Sequence, residues 1–500
     1  MRWLPLLVFL AAAGFAWWHF APRVALDIND EGIYLHGATR MLAGEEPYRD
    51  FFALTGPGTY WSHTAVFRLF GVTLPAARIP VTLSLALMTA GVFALTLRLA
   101  PLALALLTAF CFFSFETMQN ALVVSNHRWE SSALGLAAAW LAVAAMERGG
   151  RWTALLAGVA AVMAAWVTPP VGLVAAAIGG WLVFDSTVRR LLGWFLAGCA
   201  VSVAGGLCWL AAHGILGSML DALLWSASNY AAPNKAAYGW VIGGFANLYK
   251  GADTQQAAVA TVLLVFLSLP ATLPLLNAVG WPLVVRRQPA DRRPVLFLLI
   301  CSVALVASTW PRPDMIHLMY VSPLAYVLGA SLLNRVIHGR LRPIVFSVCG
   351  VAAAVLLVFT IQRPFTEQHL ETRVGRVRGP DKDLNALRMI YRHVSEKDTL
   401  FVYPYWPMFY FFSGARNPTR YPYLQPGMFP ESDEKLALEQ LQAQPPSWVL
   451  YVDVPPESYL YVWPASDPKR LRMVLLEDYF KTRYVEVERS DVYRLLARRE

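Results

Sequence analysis

Long runs of apolar residues constrain this chain more than any other feature. About 20 apolar residues cross the hydrocarbon core of a bilayer, and eleven runs approach or exceed that length. They lie at 3–21, 79–98, 101–115, 132–146, 152–168, 171–184, 191–212, 256–285, 294–310, 317–334 and 343–361. At 57% hydrophobic and 15% charged residues, the chain is too apolar for a soluble globule. We therefore predict a mainly α-helical polytopic membrane protein with about 11 transmembrane helices.

Two of these runs allow alternatives. The first run could be a cleavable signal peptide with Arg2 as its basic start, although Trp17 and Trp18 at an interface favour a retained anchor. The run at 256–285 is long and contains Pro270 and Pro274, so it could form one span or two.

The distribution of charge predicts the orientation. Before position 362, the loops on the side of the N-terminus hold thirteen of the 22 Lys and Arg residues but only three of the 14 acids. Basic loops stay in the cytoplasm, so we predict a cytoplasmic N-terminus and an external segment after 362. These loops account for the formal charge of +9, and we expect no nucleic-acid binding. All five cysteines fall in apolar runs, which argues against a disulfide framework.

The chain divides into a membrane domain at 1–361, with a first outer loop at 22–78, and an external domain at 362–500. Helical spacing in the loop predicts a helix along the membrane surface, begun by Asn29 or Asp30 and with His36 and Arg40 on its polar side. A second surface helix is predicted at 57–70. In the external domain we predict strands at 399–403, 448–452 and 484–488 and helices at 383–394, 432–442 and 468–479, which form a small α/β layer.

Six carboxylates are concentrated at 27–50, directly after the first span. A positioned carboxylate can take a proton from an attacking hydroxyl, and the adjacent pair Asp30 and Glu31 is the first candidate, with Asp27 one turn earlier. The alternative is that Asp30 caps the surface helix and Glu31 favours its positive end. These three acids could also hold a divalent metal, but their spacing does not require one.

The stretch TWPRPDMIHLMY at 309–320 is the second candidate. Arg312 lies on the side of the membrane where arginines are scarce, and it could grip a phosphate with help from His317. The alternative is a salt bridge from Arg312 to Asp314, with His317 as a cap. His127, Arg128 and Lys235 lie in other outer loops, where an ordinary loop residue is the more frequent role.

Four features together resemble the C-type (GT-C) glycosyltransferases of the protein O-mannosyltransferase and aminoarabinose transferase kind. They are the pair Asp30 and Glu31 followed by Tyr34, the run GEEPYRDFFALTGPG at 44–58, the loop at 312–317, and FFSGARNPTRY at 411–421 in an outer domain. The resemblance implies transfer of a sugar from a polyprenyl-phosphate donor to an acceptor hydroxyl at the outer face of a bacterial-type inner or plasma membrane, with inversion.

The resemblance also implies roles for residues. Asp30 or Glu31 would be the base, and Arg312 would bind the donor phosphate. From the residues themselves we add His317 and Lys235 as further ligands of that phosphate, and Asp27, Tyr34, His127, Arg128 and Asp314 as candidate substrate contacts. No cofactor is required, and the acceptor could be lipid A, a cell-wall glycan or a protein.

Two other classes of protein remain open. A lipid-linked sugar flippase or other transporter would need ionisable residues inside the spans, which are almost free of them. A non-catalytic assembly factor would keep the fold and tolerate loss of Asp30, Glu31 and Arg312.

Overall fold

A computed structural model describes residues 3–24, 26, 30–118, 122–241, 249–287, 292–362 and 367–499. The described chain is helical up to Gln362. The helices are α1 (Leu4–Phe20), α2 (Glu31–Leu42), α3 (Gly58–Phe70), α4 (Leu74–Ala77), α5 (Ile79–Leu99), α6 (Leu102–Met118), α7 (His127–Arg148), α8 (Arg151–Val167), α9 (Leu173–Phe184), α10 (Leu192–Ala212), α11 (Leu216–Trp225), α12 (Thr254–Leu267), α13 (Leu269–Arg287), α14 (Arg292–Ala307), α15 (Met315–Tyr320), α16 (Pro323–Val336) and α17 (Leu341–Gln362).

Four helical segments of the described chain are long and apolar enough to cross a bilayer: 74–99, 127–148, 189–212 and 341–362. Shorter apolar helices lie at 4–20, 102–118, 151–167 and 169–184. The structure therefore supports a polytopic helical protein without confirming the predicted count of about 11 spans. The ambiguous run at 256–285 forms two helices, α12 and α13, which separate at Ser268. Pro270 falls at the second residue of α13, where its missing N–H costs no helical hydrogen bond.

Close helix contacts in the bundle depend on small residues. A Cβ on Gly158 of α8 would lie 2.1 Å from the Phe195 carbonyl oxygen, and a Cβ on Gly198 of α10 would lie 2.0 Å from the Leu155 oxygen. Only glycine allows two helix backbones to approach this closely. The α8–α10 crossing is thus fixed by this pair of glycines.

The C-terminal segment forms a mixed sheet with helices. Its elements are β1 (Gln368–Thr372), β2 (Gly375–Gly379), α18 (Asp381–His393), β3 (Leu400–Tyr403), α19 (Met408–Ser413), α20 (Glu431–Ala443), β4 (Trp448–Val452), α21 (Tyr459–Val462), α22 (Val474–Arg483), β5 (Tyr484–Ser490) and β6 (Tyr493–Arg498). The main sheet has the strand order β3-β4-β6-β5, in which β3 and β4 are parallel and the other pairs antiparallel. The three predicted strands form, while β6 and the β1–β2 hairpin were not predicted.

The first outer loop differs from its prediction. Helices α2 and α3 form close to their predicted bounds, but the polar side of α2 faces the C-terminal domain and not solvent. His36 is buried and stacks on Tyr410 with ring centroids 4.4 Å apart, and Arg40 donates a hydrogen bond to the Thr419 carbonyl oxygen at 3.1 Å. The predicted helix therefore forms, and its polar side is covered, because the C-terminal domain supplies the partners that water would otherwise supply.

Candidate functional site

A cavity of about 330 Å³ lies between the first outer loop, the start of α7, the segments at 168–170, 223–234 and 309–311, and the C-terminal domain. Its wall mixes aromatic and polar side chains. The polar and aromatic lining residues are Asp30, Tyr34, Phe52, Thr55, Tyr60, His127, Arg128, Thr168, Ser226, Tyr230, Asn234, Thr309, Trp310, Tyr405, Tyr423, Gln425 and Trp463. Among these described residues, Asp30 is the one carboxylate and Arg128 the one guanidinium. The cavity can thus place a base and a cation near one ligand.

Asp30 occupies the N-cap position of α2 without acting as a cap. Its side chain accepts no hydrogen bond from the first turn of the helix. Instead, its Oδ1 accepts a hydrogen bond from the hydroxyl of Tyr405. Its carboxylate lines the cavity, and the residue remains exposed. The carboxylate is therefore available to a ligand, as the prediction of a base requires.

Glu31 follows Asp30 but is absent from the described cavity wall. Successive residues of a helix point about 100° apart, and Glu31 is fully buried on another side of α2. Its Oε1 lies 2.9 Å from Nη1 of Arg78 and accepts a hydrogen bond from the backbone N–H of Ser125 at 3.1 Å. Burial raises the pKa of Glu31, and the charge of Arg78 opposes that rise. Glu31 thus joins α2 to the start of α5.

Arg128 presents a cation that has few partners. Asn126 caps α7 by accepting a hydrogen bond from the backbone N–H of Arg128 at 2.8 Å, which fixes where the side chain leaves the helix. The Nε and Nη1 atoms of Arg128 are buried and have no hydrogen-bond partner in the described chain. Buried polar groups are nearly always paired, so a group of this kind calls for an explanation such as an anionic ligand. Beside it, Nδ1 of His127 lies 2.7 Å from the Thr168 hydroxyl.

The residues predicted to bind the donor phosphate are not in the described wall of the cavity, although Arg312 contacts Asn234 and Trp463 of that wall. Arg312 is buried, and its Nε lies 2.5 Å from the Asp314 carboxylate. Its Nη1 donates hydrogen bonds to Asn234 at 2.9 Å and to the Val462 carbonyl oxygen. None of Arg312, Asp314, His317 and Lys235 is among the lining residues of the cavity. Arg312 instead joins its loop to the C-terminal domain, as in the salt-bridge alternative.

Asp314 and His317 form a local unit in the same loop. Asp314 accepts hydrogen bonds from the backbone N–H of His317 at 2.9 Å and from its Nδ1 at 2.7 Å. Burial alone would raise the pKa of Asp314. The hydrogen bond from His317 and the nearby positive charges hold that pKa well below its ordinary value. Lys235 is exposed.

The C-terminal domain contributes cavity residues that the sequence analysis did not single out: Tyr405, Tyr423, Gln425 and Trp463. Burial, with the charge of Asp30, raises the pKa of Tyr405 and of Tyr423 well above the ordinary value, so both remain hydroxyl donors. The aromatic density at 403–423 was the one signal for them.

Asp27 lies outside the described residues, and in the described ranges no group of three or more His, Cys, Asp or Glu is placed to hold a metal ion.

Comparisons by sequence return nothing: no protein-family model and no curated protein matches the chain. Comparison by structure finds similar proteins. ArnT from Cupriavidus metallidurans, solved bound to undecaprenyl phosphate, has a TM-score of 0.60 and 14% identity, covering 98% of this chain and 97% of that one. An oligosaccharyltransferase from Archaeoglobus fulgidus in the apo form has a TM-score of 0.54 and 12% identity, covering 90% of this chain and 70% of that one.

The same archaeal enzyme tethered to an acceptor peptide has a TM-score of 0.55 and 11% identity, covering all of this chain and 74% of that one. This likeness and the four long apolar helices identify an integral membrane protein. The chain therefore has the fold of the C-type polytopic membrane glycosyltransferases, as its sequence motifs predicted.

Proposed function

We propose that this protein transfers a sugar from a polyprenyl-phosphate donor to an acceptor hydroxyl at the outer face of the membrane. One observation carries the proposal: a single cavity has in its wall a carboxylate, Asp30, and an arginine, Arg128, with two nitrogens that have no partner among the described residues. The fold of ArnT, which was solved with undecaprenyl phosphate, supports this class of donor.

In the proposed reaction Asp30 accepts the proton of the acceptor hydroxyl. The acceptor oxygen then forms a bond to the anomeric carbon from the face opposite the phosphate. The bond from that carbon to the phosphate oxygen breaks, and the electron pair leaves with the polyprenyl phosphate, so the configuration inverts. A phosphate leaving group needs no proton. One base and one cation therefore suffice, and alignment and charge stabilisation supply most of the acceleration.

Arg128 takes the role of phosphate ligand in this proposal, in place of Arg312. The guanidinium of Arg312 already contacts Asp314, Asn234 and Val462. That of Arg128 keeps two buried donor nitrogens without partners in the described chain, and a phosphate could accept charge-assisted hydrogen bonds from this guanidinium. Tyr405 orients Asp30 through its hydrogen bond. Glu31, paired with Arg78, has a structural role here.

Binding of undecaprenyl phosphate, used as the probe, tests the assignment of Arg128. We expect Arg128→Gln to weaken binding to the purified protein about tenfold or more, because a charge-assisted contact to the phosphate is lost. Arg49→Gln is the matched control, since Arg49 is an exposed outer arginine paired with Asp50. Equal binding by the two variants would reject Arg128 as the phosphate ligand.

A cellular test addresses the reaction itself. We expect one envelope glycan or glycolipid to lose a sugar when the protein is absent, and the wild type but not Asp30→Asn to restore it. A transporter would instead change the side of the membrane on which the lipid-linked sugar accumulates. Restoration by Asp30→Asn at wild-type level would contradict transferase chemistry at this carboxylate.

A further inference from the structure

A second cavity lies at the other end of α7 from the candidate site. Arg128 is the second residue of this helix and Arg148 the last. At 1.5 Å per residue they are about 30 Å apart along the axis, which matches the thickness of the hydrocarbon core. The cavity has a volume of about 860 Å³ and is lined by residues of α1, α5, α7 and α8, including Arg148. It therefore lies at the level of the opposite lipid headgroups.

The lining of this cavity is amphipathic. Leu97 of α5 and Leu141 and Ala144 of α7 provide apolar wall, while Arg98 and Arg148 provide cationic groups. A soluble anion would use only the cationic part. A molecule with a charged head and hydrocarbon chains would use both.

Positive charge dominates the region around the cavity. Arg148 is exposed and forms no hydrogen bond or ion pair within the described chain. The side chain of Arg98, 25% exposed, pairs with Glu147 at 2.9 Å. Arg151 and Arg190 lie nearby, Arg151 at the start of α8 and Arg190 close to Gly149. Two guanidinium groups thus line the cavity with two more nearby, and in the described chain only the pair from Arg98 to Glu147 neutralises any of the four, so the excess favours an anionic ligand.

Aromatic residues mark the same level of the bundle. Arg151 lies over the rings of Trp152 and Trp194, at 5.6 and 5.5 Å from their centroids. Trp152 is 61% exposed and Trp194 is 37% exposed. Exposed tryptophans of membrane proteins concentrate where headgroups meet hydrocarbon. The cavity therefore opens within a lipid leaflet.

We propose that this cavity binds an anionic glycerophospholipid, with its phosphate at Arg98 and Arg148 and its acyl chains along Leu97, Leu141 and Ala144. Basic pockets between transmembrane helices bind such headgroups through the same chemistry. This site is separate from the candidate site and does not depend on the proposed function. Its ligand would hold α1, α5, α7 and α8 together at the end remote from that site.

Native mass spectrometry and thermal unfolding of the purified full chain test the proposal. The probes are phosphatidylglycerol, phosphatidylcholine and inorganic phosphate, each added separately. We expect phosphatidylglycerol to bind and to raise the melting temperature, and the other two probes to do so far less. The single variants Arg98→Gln and Arg148→Gln should each weaken phosphatidylglycerol binding about fivefold, and the double variant should weaken it about 30-fold. Arg286→Gln, an exposed arginine that does not line the cavity, is the control and should bind as the wild type does.

A second variant keeps the charges and fills the apolar part. Ala144→Phe should also weaken phosphatidylglycerol binding, because its ring would occupy the space of the acyl chains. The proposal is overturned if phosphatidylcholine binds equally well, if phosphate alone gives the same stabilisation, or if the double arginine variant binds like Arg286→Gln. Wild-type discrimination between the two lipids decides the matter even where a variant fails to fold.

Discussion

The adjacent acids Asp30 and Glu31 should respond to neutralisation in opposite ways. Asp30 lines the cavity, and its Oδ1 accepts a hydrogen bond from Tyr405 that an amide oxygen could also accept. If Asp30 is the proposed base, Asp30→Asn removes that base and keeps the fold. General base catalysis contributes about 10²–10⁴-fold, so we expect the transfer rate to fall by that factor, which is about 3–5 kcal/mol of transition-state stabilisation.

Glu31→Gln should instead lower stability. The carboxylate is fully buried and faces the guanidinium of Arg78, which is itself 1% exposed. Removing one partner of a buried ion pair leaves the other charge uncompensated, at a cost of about 3–5 kcal/mol. We expect a lower melting temperature and a lower yield of folded protein, with transfer activity per folded molecule largely retained.

The assay combines transfer of labelled sugar with thermal unfolding of the detergent-purified protein, followed by tryptophan fluorescence. Glu431→Gln is the control, because Glu431 forms an ion pair with Lys435 at the surface, where their side chains are 69% and 59% exposed. Exposed pairs contribute about 0–1 kcal/mol, so both readouts should stay near wild type. If Glu31→Gln abolished transfer at an unchanged melting temperature while Asp30→Asn stayed active, our assignment of the two roles would be refuted.

Three further predictions concern the contact of the outer loops with the C-terminal domain. Gly32→Ala should destabilise the protein by about 1–3 kcal/mol and make its C-terminal domain easier to cleave by protease, because the new Cβ would lie 2.1 Å from the Met408 nitrogen. Gly14→Ala, whose new Cβ would meet no atom of the described residues within 4 Å, should change neither property. Arg312→Gln should lower the melting temperature, since Asp314 would stay buried without its cation; an unchanged melting temperature would argue against the role of Arg312 in joining the domains. Burial, with the charge of Arg40, holds the pKa of His36 well below its ordinary value. Below about pH 6.5 the unfolded chain therefore binds a proton that the folded chain does not. The free energy of unfolding thus decreases as the pH is lowered. His36→Phe should therefore show a smaller drop in melting temperature between pH 7.5 and 5.5, and an equal drop would contradict this origin.

Local pattern was enough to predict much of the fold. Apolar runs predicted the helices of the bundle. The spacing of apolar residues, together with turn-forming residues, predicted α2, α3 and strands β3, β4 and β5. The motifs at 30–34, 44–58 and 411–421 identified the GT-C fold, which the structural comparisons confirm. These signals act over a few residues, so they can be recognised in a sequence.

Composition and local pattern alone indicate a membrane-spanning chain, the place where its acids concentrate and the fold that it resembles. They do not indicate which charges have partners. Glu31 meets Arg78, 47 positions later, and Arg312 meets the carbonyl of Val462, 150 positions later, while Arg128 keeps two unpaired nitrogens within the described chain. A charge is neutralised by whatever the fold places within a few ångströms of it, and packing between distant segments sets those partners.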